Sequence, residues 1–129
     1  MGVSVREILR ALHQGGIIAL VADQTAPKES VAVEFFGRRV PTFQGPAVFS
    51  LKTGAPIVLG CAVRQHDGNY KMHFVHVPSD DLVGCSDENV LELTQRQVRM
   101  TEEIIRQYPE QWMWTHKRWK HVPDRVESE

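Results

Sequence analysis

The chain has no apolar run approaching the roughly 20 residues that a membrane-crossing helix needs. Any bilayer contact is therefore expected to be peripheral, or made by polypeptide outside these residues. It also lacks a Gly-x-Ser-x-Gly elbow, a Gly-x-x-x-x-Gly-Lys loop and a Gly-x-Gly-x-x-Gly turn. Those absences remove the usual signatures of an α/β-hydrolase, a P-loop nucleotidase and a dinucleotide enzyme. There is no excess of one charge: the formal net charge is −1, so nothing global points to nucleic acid. Cysteine is scarce, with Cys61 inside an apolar run and Cys85 in a Gly-Cys-Ser loop. A reduced protein is expected rather than a disulfide framework, with Cys61 a small core residue. No Cys/His/Asp spacing of a known metal site occurs, and no cofactor is expected. A helix signal follows Met1-Gly2 at once, with no secretory pattern ahead of it.

What remains is a chain of 129 residues, 42% hydrophobic, enough for one domain or a piece of one. Residues 1–121 read as one unit and 122–129 as a charged, disordered tail. Ser4 with Glu7 forms a capping box, and Val5, Ile8, Leu9 and Leu12 share a helical face that Gly15-Gly16 ends. Ile17 to Ala22 is apolar without alternation, as in a strand buried on both faces. Helix then strand is half of a βαβ unit, whose first strand would precede residue 1. Val31 to Phe36 is a weak strand or an extended lid, turned by Gly37-Arg38-Arg39. Pro46 and Gly54 bracket a helix. Ile57 to Val63 and Tyr70 to Val77 read as an antiparallel pair around His66-Asp67-Gly68-Asn69. Ser86 or Asp87 caps a long amphipathic helix, with Leu91, Val98 and Ile105 on its buried face, ended by Pro109. The fold expected is α/β, a three-layer sandwich with a mixed, mostly parallel sheet. Ile17–Ala22 and Ile57–Val63 would be parallel neighbours or near-neighbours. A truncated sheet leaves an apolar edge or face open, so self-association is expected.

Few residues stand out chemically. Asp23, just past a buried strand, suits a carboxylate that orients a histidine or steadies a cation. The plain alternative is a turn acid capping a backbone N–H. Arg38 and Arg39 suit phosphate or carboxylate, or are simply a solvated loop pair. Thr42 and the Gly45 region offer a hydroxyl and backbone N–H groups at a helix start. The one His-x-x-x-x-Asp pair, His76 and Asp81, leaves a strand and is interrupted by Pro78, so it is not a catalytic dyad. Trp112, Trp114 and Trp119 interleave with His116, Lys117, Arg118 and Lys120. That pattern fits core packing, a membrane-interface surface or, last, single-strand stacking. Trp112 and Trp114 are expected inside, with Arg118 and Lys120 outside.

Ala22-Asp23-Gln24, Phe35-Phe36-Gly37, Pro41-Thr42, Gly45-Pro46 and Gly54-Ala55-Pro56 come in this order. Pro109-Glu110-Gln111-Trp112 and the run from Trp114 through His116, Arg118 and Trp119 to Lys120 close the series. Together they resemble the C-terminal half of the lipid A biosynthesis acyltransferases, over about Val5 to Lys120. The resemblance implies a glycerolipid-acyltransferase type of fold. It implies transfer of a fatty acyl chain from acyl carrier protein (or CoA) to a hydroxyl of a lipid A precursor or related glycolipid, at the cytoplasmic face of the bacterial inner membrane. Asp23 matches the family's later acid. Phe36, Gly37, Arg38, Arg39, Thr42 and Gly45 fall in the loop and helix start beside the acyl and acceptor site. Arg118 and Lys120 would contact phosphate or anionic membrane. The family's His-x-x-x-x-acid motif and a membrane helix would lie upstream of residue 1, which leaves this stretch inactive alone. The rival reading is a non-catalytic α/β module that docks on a membrane or a protein.

Overall fold

The structure, a computed structural model, describes residues 2–122. Helix α1 spans Val5–His13, and both capping-box bonds between Ser4 and Glu7 form, at 2.9 and 3.3 Å. Strands β1 (Ala32–Phe35) and β2 (Arg38–Pro41) make a tight antiparallel hairpin. Its two-residue turn is Phe36-Gly37, with φ of 49° and 74°. Two successive positive φ values match the right-handed twist of the flanking strands, and glycine takes one of them without strain. The turn thus falls one residue earlier than the Gly37-Arg38-Arg39 expected. Arg38 and Arg39 belong to the β2 ladder, opposite Phe35 and Glu34.

Helix α2 runs Gly45–Thr53, with Pro46 in its first turn and Gly54 closing it at φ 76°. Strands β3 (Ile57–Arg64) and β4 (Tyr70–Val77) pair antiparallel, from Ile57 opposite Val77 to Arg64 opposite Tyr70. Helix α3, Asp87–Gln107, begins where the Ser86 hydroxyl accepts from the Asn89 N–H at 3.2 Å. A short 3₁₀ turn over Pro109–Gln111 follows it.

α3 is the spine that joins two cores. Val98 and Ile105 pack with Val33, Phe35 and Val40 of the hairpin. Val90 and Leu93 pack with Ala47 of α2 and Val77 of β4. The buried stripe therefore starts at Val90; Leu91 is exposed and is not part of it.

The mixed α/β class and the β3–β4 hairpin are as expected. The mostly parallel, three-layer sheet does not appear among the described residues, where two separate antiparallel pairs stand instead. Ile17 to Ala22 is not a strand here, and Ile17 and Val21 are 95% and 85% exposed. A strand exists through its ladder, and no described strand lies hydrogen-bonded beside this run. Among the described residues no helix is long and apolar enough to cross a membrane. Of the tail expected at 122–129, residues 123–129 lie outside the described residues.

Candidate functional site

The closing segment folds back over the β1–β2 hairpin. Phe35 stacks on Trp119 at 5.1 Å and meets Trp112 at 6.1 Å. Trp119 Nε1–H reaches the Phe35 carbonyl at 3.4 Å. These contacts bring Arg118 inside, at 3% exposure. Its guanidinium donates to the Pro41 carbonyl at 2.7 Å and to Thr42 Oγ1 at 2.8 Å, and lies 5.5 Å over the Phe35 ring. Burial pushes the Arg118 guanidinium below its usual range, while the negative charge of Asp23 pulls the other way. The expectation that Arg118 faces outward is thus corrected. Its planar fork is spent on two internal acceptors, and the stacked aromatics shut out water. Lys120 is exposed. Trp112 is half-buried against the hairpin core. Trp114 is 53% exposed, not internal, and stacks on Trp119 from outside at 6.4 Å.

The same segment holds the Asp23 loop. The Thr25 N–H donates to His116 Nε2 at 2.9 Å, and the Thr25 hydroxyl donates to the Lys117 carbonyl at 2.8 Å. Asp23 is exposed at the lip of a largely apolar cavity of about 430 Å³. Thr42, Pro46, Phe49 and Trp112 line that cavity too, as do β3 residues Ile57 to Cys61. Asp23 and Thr42 therefore line one cavity, Asp23 exposed at its edge and Thr42 buried in its wall with its hydroxyl held by the buried Arg118 guanidinium.

The other candidates sit apart from that lip. Phe36, Gly37, Arg38 and Arg39 are at the far end of the hairpin and do not line the cavity. Arg106 lies over the Phe36 ring at 4.9 Å, and Arg39 donates to the Ala32 carbonyl at 3.4 Å. Gly45 opens α2 beside Pro46 but is not itself in the lining.

No histidine lines the cavity among the described residues. His116 is tied to the Asp23 loop through the Thr25 N–H, which its Nε2 accepts. His76 cannot be oriented by Asp81, because Arg96 binds both oxygens of that carboxylate, at 2.7 Å each. No group of three metal-ligating side chains occurs among the described residues.

Sequence reasoning missed the glutamines. Gln95 bonds both backbone groups of Glu34, at 2.8 and 2.9 Å, and Gln111 does the same to Arg64, at 2.8 and 3.1 Å. A glutamine on or just past a helix carries no local sign of such a role. His116 carried one, since it stands in the closing run that the resemblance singled out.

Among curated proteins, none matches the chain significantly. The family profile described as bacterial lipid A biosynthesis acyltransferase matches residues 2–121, nearly the whole chain. The chain belongs to the bacterial lipid A biosynthesis acyltransferase family.

Proposed function

We propose that this chain supplies the acid side of an active site that moves a fatty acyl group from a carrier-protein or CoA thioester to a hydroxyl of a lipid A precursor or related glycolipid. The observation that carries the reading is the cavity that Asp23 and Thr42 both line, with Thr42 held by buried Arg118, in a chain matched to this family. In the reaction a general base takes the acceptor's proton. The acceptor oxygen attacks the thioester carbonyl, a C–O bond forms, the C–S bond breaks, and the thiolate leaves with a proton. The base is a histidine contributed from outside the described residues. Asp23 orients it and stabilises its imidazolium form. Thr42, its hydroxyl held between Arg118 and the Val40 carbonyl, shapes the cavity wall beside the reacting groups. The chain by itself is inactive, and the complete enzyme works at the cytoplasmic face of the inner membrane. Exposed Lys120 is the contact with anionic lipid, and the apolar surface left open supports self-association.

The alternative, a non-catalytic docking module, leaves the carboxylate of Asp23 at the edge of an apolar cavity without a use. The test is Asp23→Asn in a polypeptide that carries this chain and transfers acyl groups. Turnover falls by ~10²-fold, the scale of lost acid/base support, with melting unchanged. Full activity in that variant would return Asp23 to the role of a turn acid.

A further inference from the structure

Residues 17–26 belong to no helix or strand. Among the described residues, the hydrogen bonds that tie them to the rest of the fold are both made by Thr25. One goes to the His116 side chain and the other to the Lys117 carbonyl. The next residue of that run, Arg118, holds the Pro41 carbonyl and Thr42 Oγ1. The Arg118 N–H in turn donates to the His116 carbonyl at 2.9 Å, so the two side chains hang from one tight turn. Three residues thus tie the Asp23 loop to the loop that leads into α2. Thr25 and His116 are half-buried, and Ala26 is 1% exposed. Asp23, two residues before Thr25, is exposed at the cavity edge. The place of its carboxylate therefore depends on how firmly Thr25 is held.

A neutral imidazole has one donor nitrogen and one acceptor nitrogen. His116 accepts the Thr25 N–H at Nε2, which assigns its proton to Nδ1. While Nε2 holds Thr25 it cannot take a proton from an acceptor hydroxyl. The chemistry of this ring is thus a hold on the loop, not that of a general base.

We propose that His116 is a positioning residue: as the Nδ1–H tautomer it holds the Thr25 N–H, and through Thr25 it sets where the Asp23 carboxylate stands at the cavity edge. The catalytic consequence rests on the acyltransfer reading; the hold itself does not. Two substitutions separate the hold from simple packing. A glutamine carbonyl reaches the place of Nε2, whereas asparagine, one methylene shorter, reaches only the place of Nδ1. The Lys117 bond is made by backbone and survives both changes, so the loop stays attached while its placement loosens.

The test begins on this chain, with ¹⁵N NMR of the imidazole and amide exchange at Thr25. The ring reports Nδ1–H, and Thr25 exchanges ~10-fold faster in His116→Asn than in His116→Gln. An Nε2–H ring in the folded chain, or equal Thr25 exchange in the two variants, would overturn the proposal. Steady-state acyl transfer follows, in an active polypeptide that carries the chain. His116→Asn lowers kcat by ~10-fold with KM little changed, the mark of a misplaced group, and His116→Gln recovers most of that loss. Asp23→Asn/His116→Asn is no slower than Asp23→Asn alone, because the histidine acts through the acid. Equal losses in both His116 variants, or losses that multiply with that of Asp23→Asn, would also overturn it. Full activity in Asp23→Asn would instead strike the catalytic role of Asp23, and the ring tautomer and Thr25 exchange would still decide the hold.

Discussion

Replacing Arg118 by methionine is the sharpest perturbation of the fold around the site. The native guanidinium makes two charge-assisted bonds, to the Pro41 carbonyl and Thr42 Oγ1, of the kind worth ~1.5–3 kcal/mol each. Its position over Phe35 adds ~1 kcal/mol. Against this stands the cost of burying a charge, several kcal/mol, which methionine removes while it refills much of the volume. Thr42 Oγ1 keeps its bond to the Val40 carbonyl at 3.2 Å, so the Pro41 carbonyl is the group left stranded. The net loss is ~2–4 kcal/mol, which for a domain of this size lowers the melting temperature by about 10 °C. Arg118→Lys does not rescue it, because an ammonium cannot present the planar fork that both acceptors need. Thermal and urea unfolding followed by circular dichroism measure the effect. Melting within ~2 °C of wild type in both variants would refute the buried position and return Arg118 to the surface.

Asp81 has a folded pKa of about 2, held below the usual carboxylate range chiefly by its two hydrogen bonds from Arg96. A depressed pKa gives stability that is present above the unfolded value and lost as the pH falls toward the folded one. Acid unfolding of the wild type therefore includes a component between about pH 4 and 2 that Asp81→Asn lacks, and identical acid titrations would contradict this. Trp112→Ala costs ~2 kcal/mol or more, because the ring packs on the hairpin core, whereas Trp114→Ala costs ~1 kcal/mol, and chemical denaturation ranks them. Lys120→Glu weakens co-sedimentation with anionic vesicles at low salt by ~5-fold without a change in melting, and unchanged binding would remove Lys120 from the lipid surface.

Features set by local chemistry were legible from the residues. Ser4 with Glu7, Pro46 with Gly54, and Ser86 with Pro109 marked three helices, because caps act within one turn of the backbone they satisfy. The β3–β4 pairing was legible too, since a short polar loop between two apolar runs sets the register. Ile17–Ala22 was misread because an apolar run tells of burial only when something is there to bury it. The hairpin turn was placed late, because Phe36 at positive φ is a conformation that a bulky aromatic seldom declares in advance. Arg118 was misplaced for a different reason. Its acceptors lie 77 and 76 residues earlier, and basic residues between tryptophans look alike whether they snorkel outward or fork inward. At the site, Asp23 and Thr42 were legible as candidates; that they line one cavity depends on the closing segment folding back.

The central claim is lipid acyltransfer, and the most direct test is the product itself. A polypeptide that carries this chain is expressed in bacteria whose lipid A lacks one late acyl chain, and the extracted lipid A is weighed by mass spectrometry. The account predicts a species heavier by one fatty acyl ester, absent when Asp23 is changed to Asn. Lipid A of unchanged mass in cells that hold the folded wild-type protein at the membrane would contradict it.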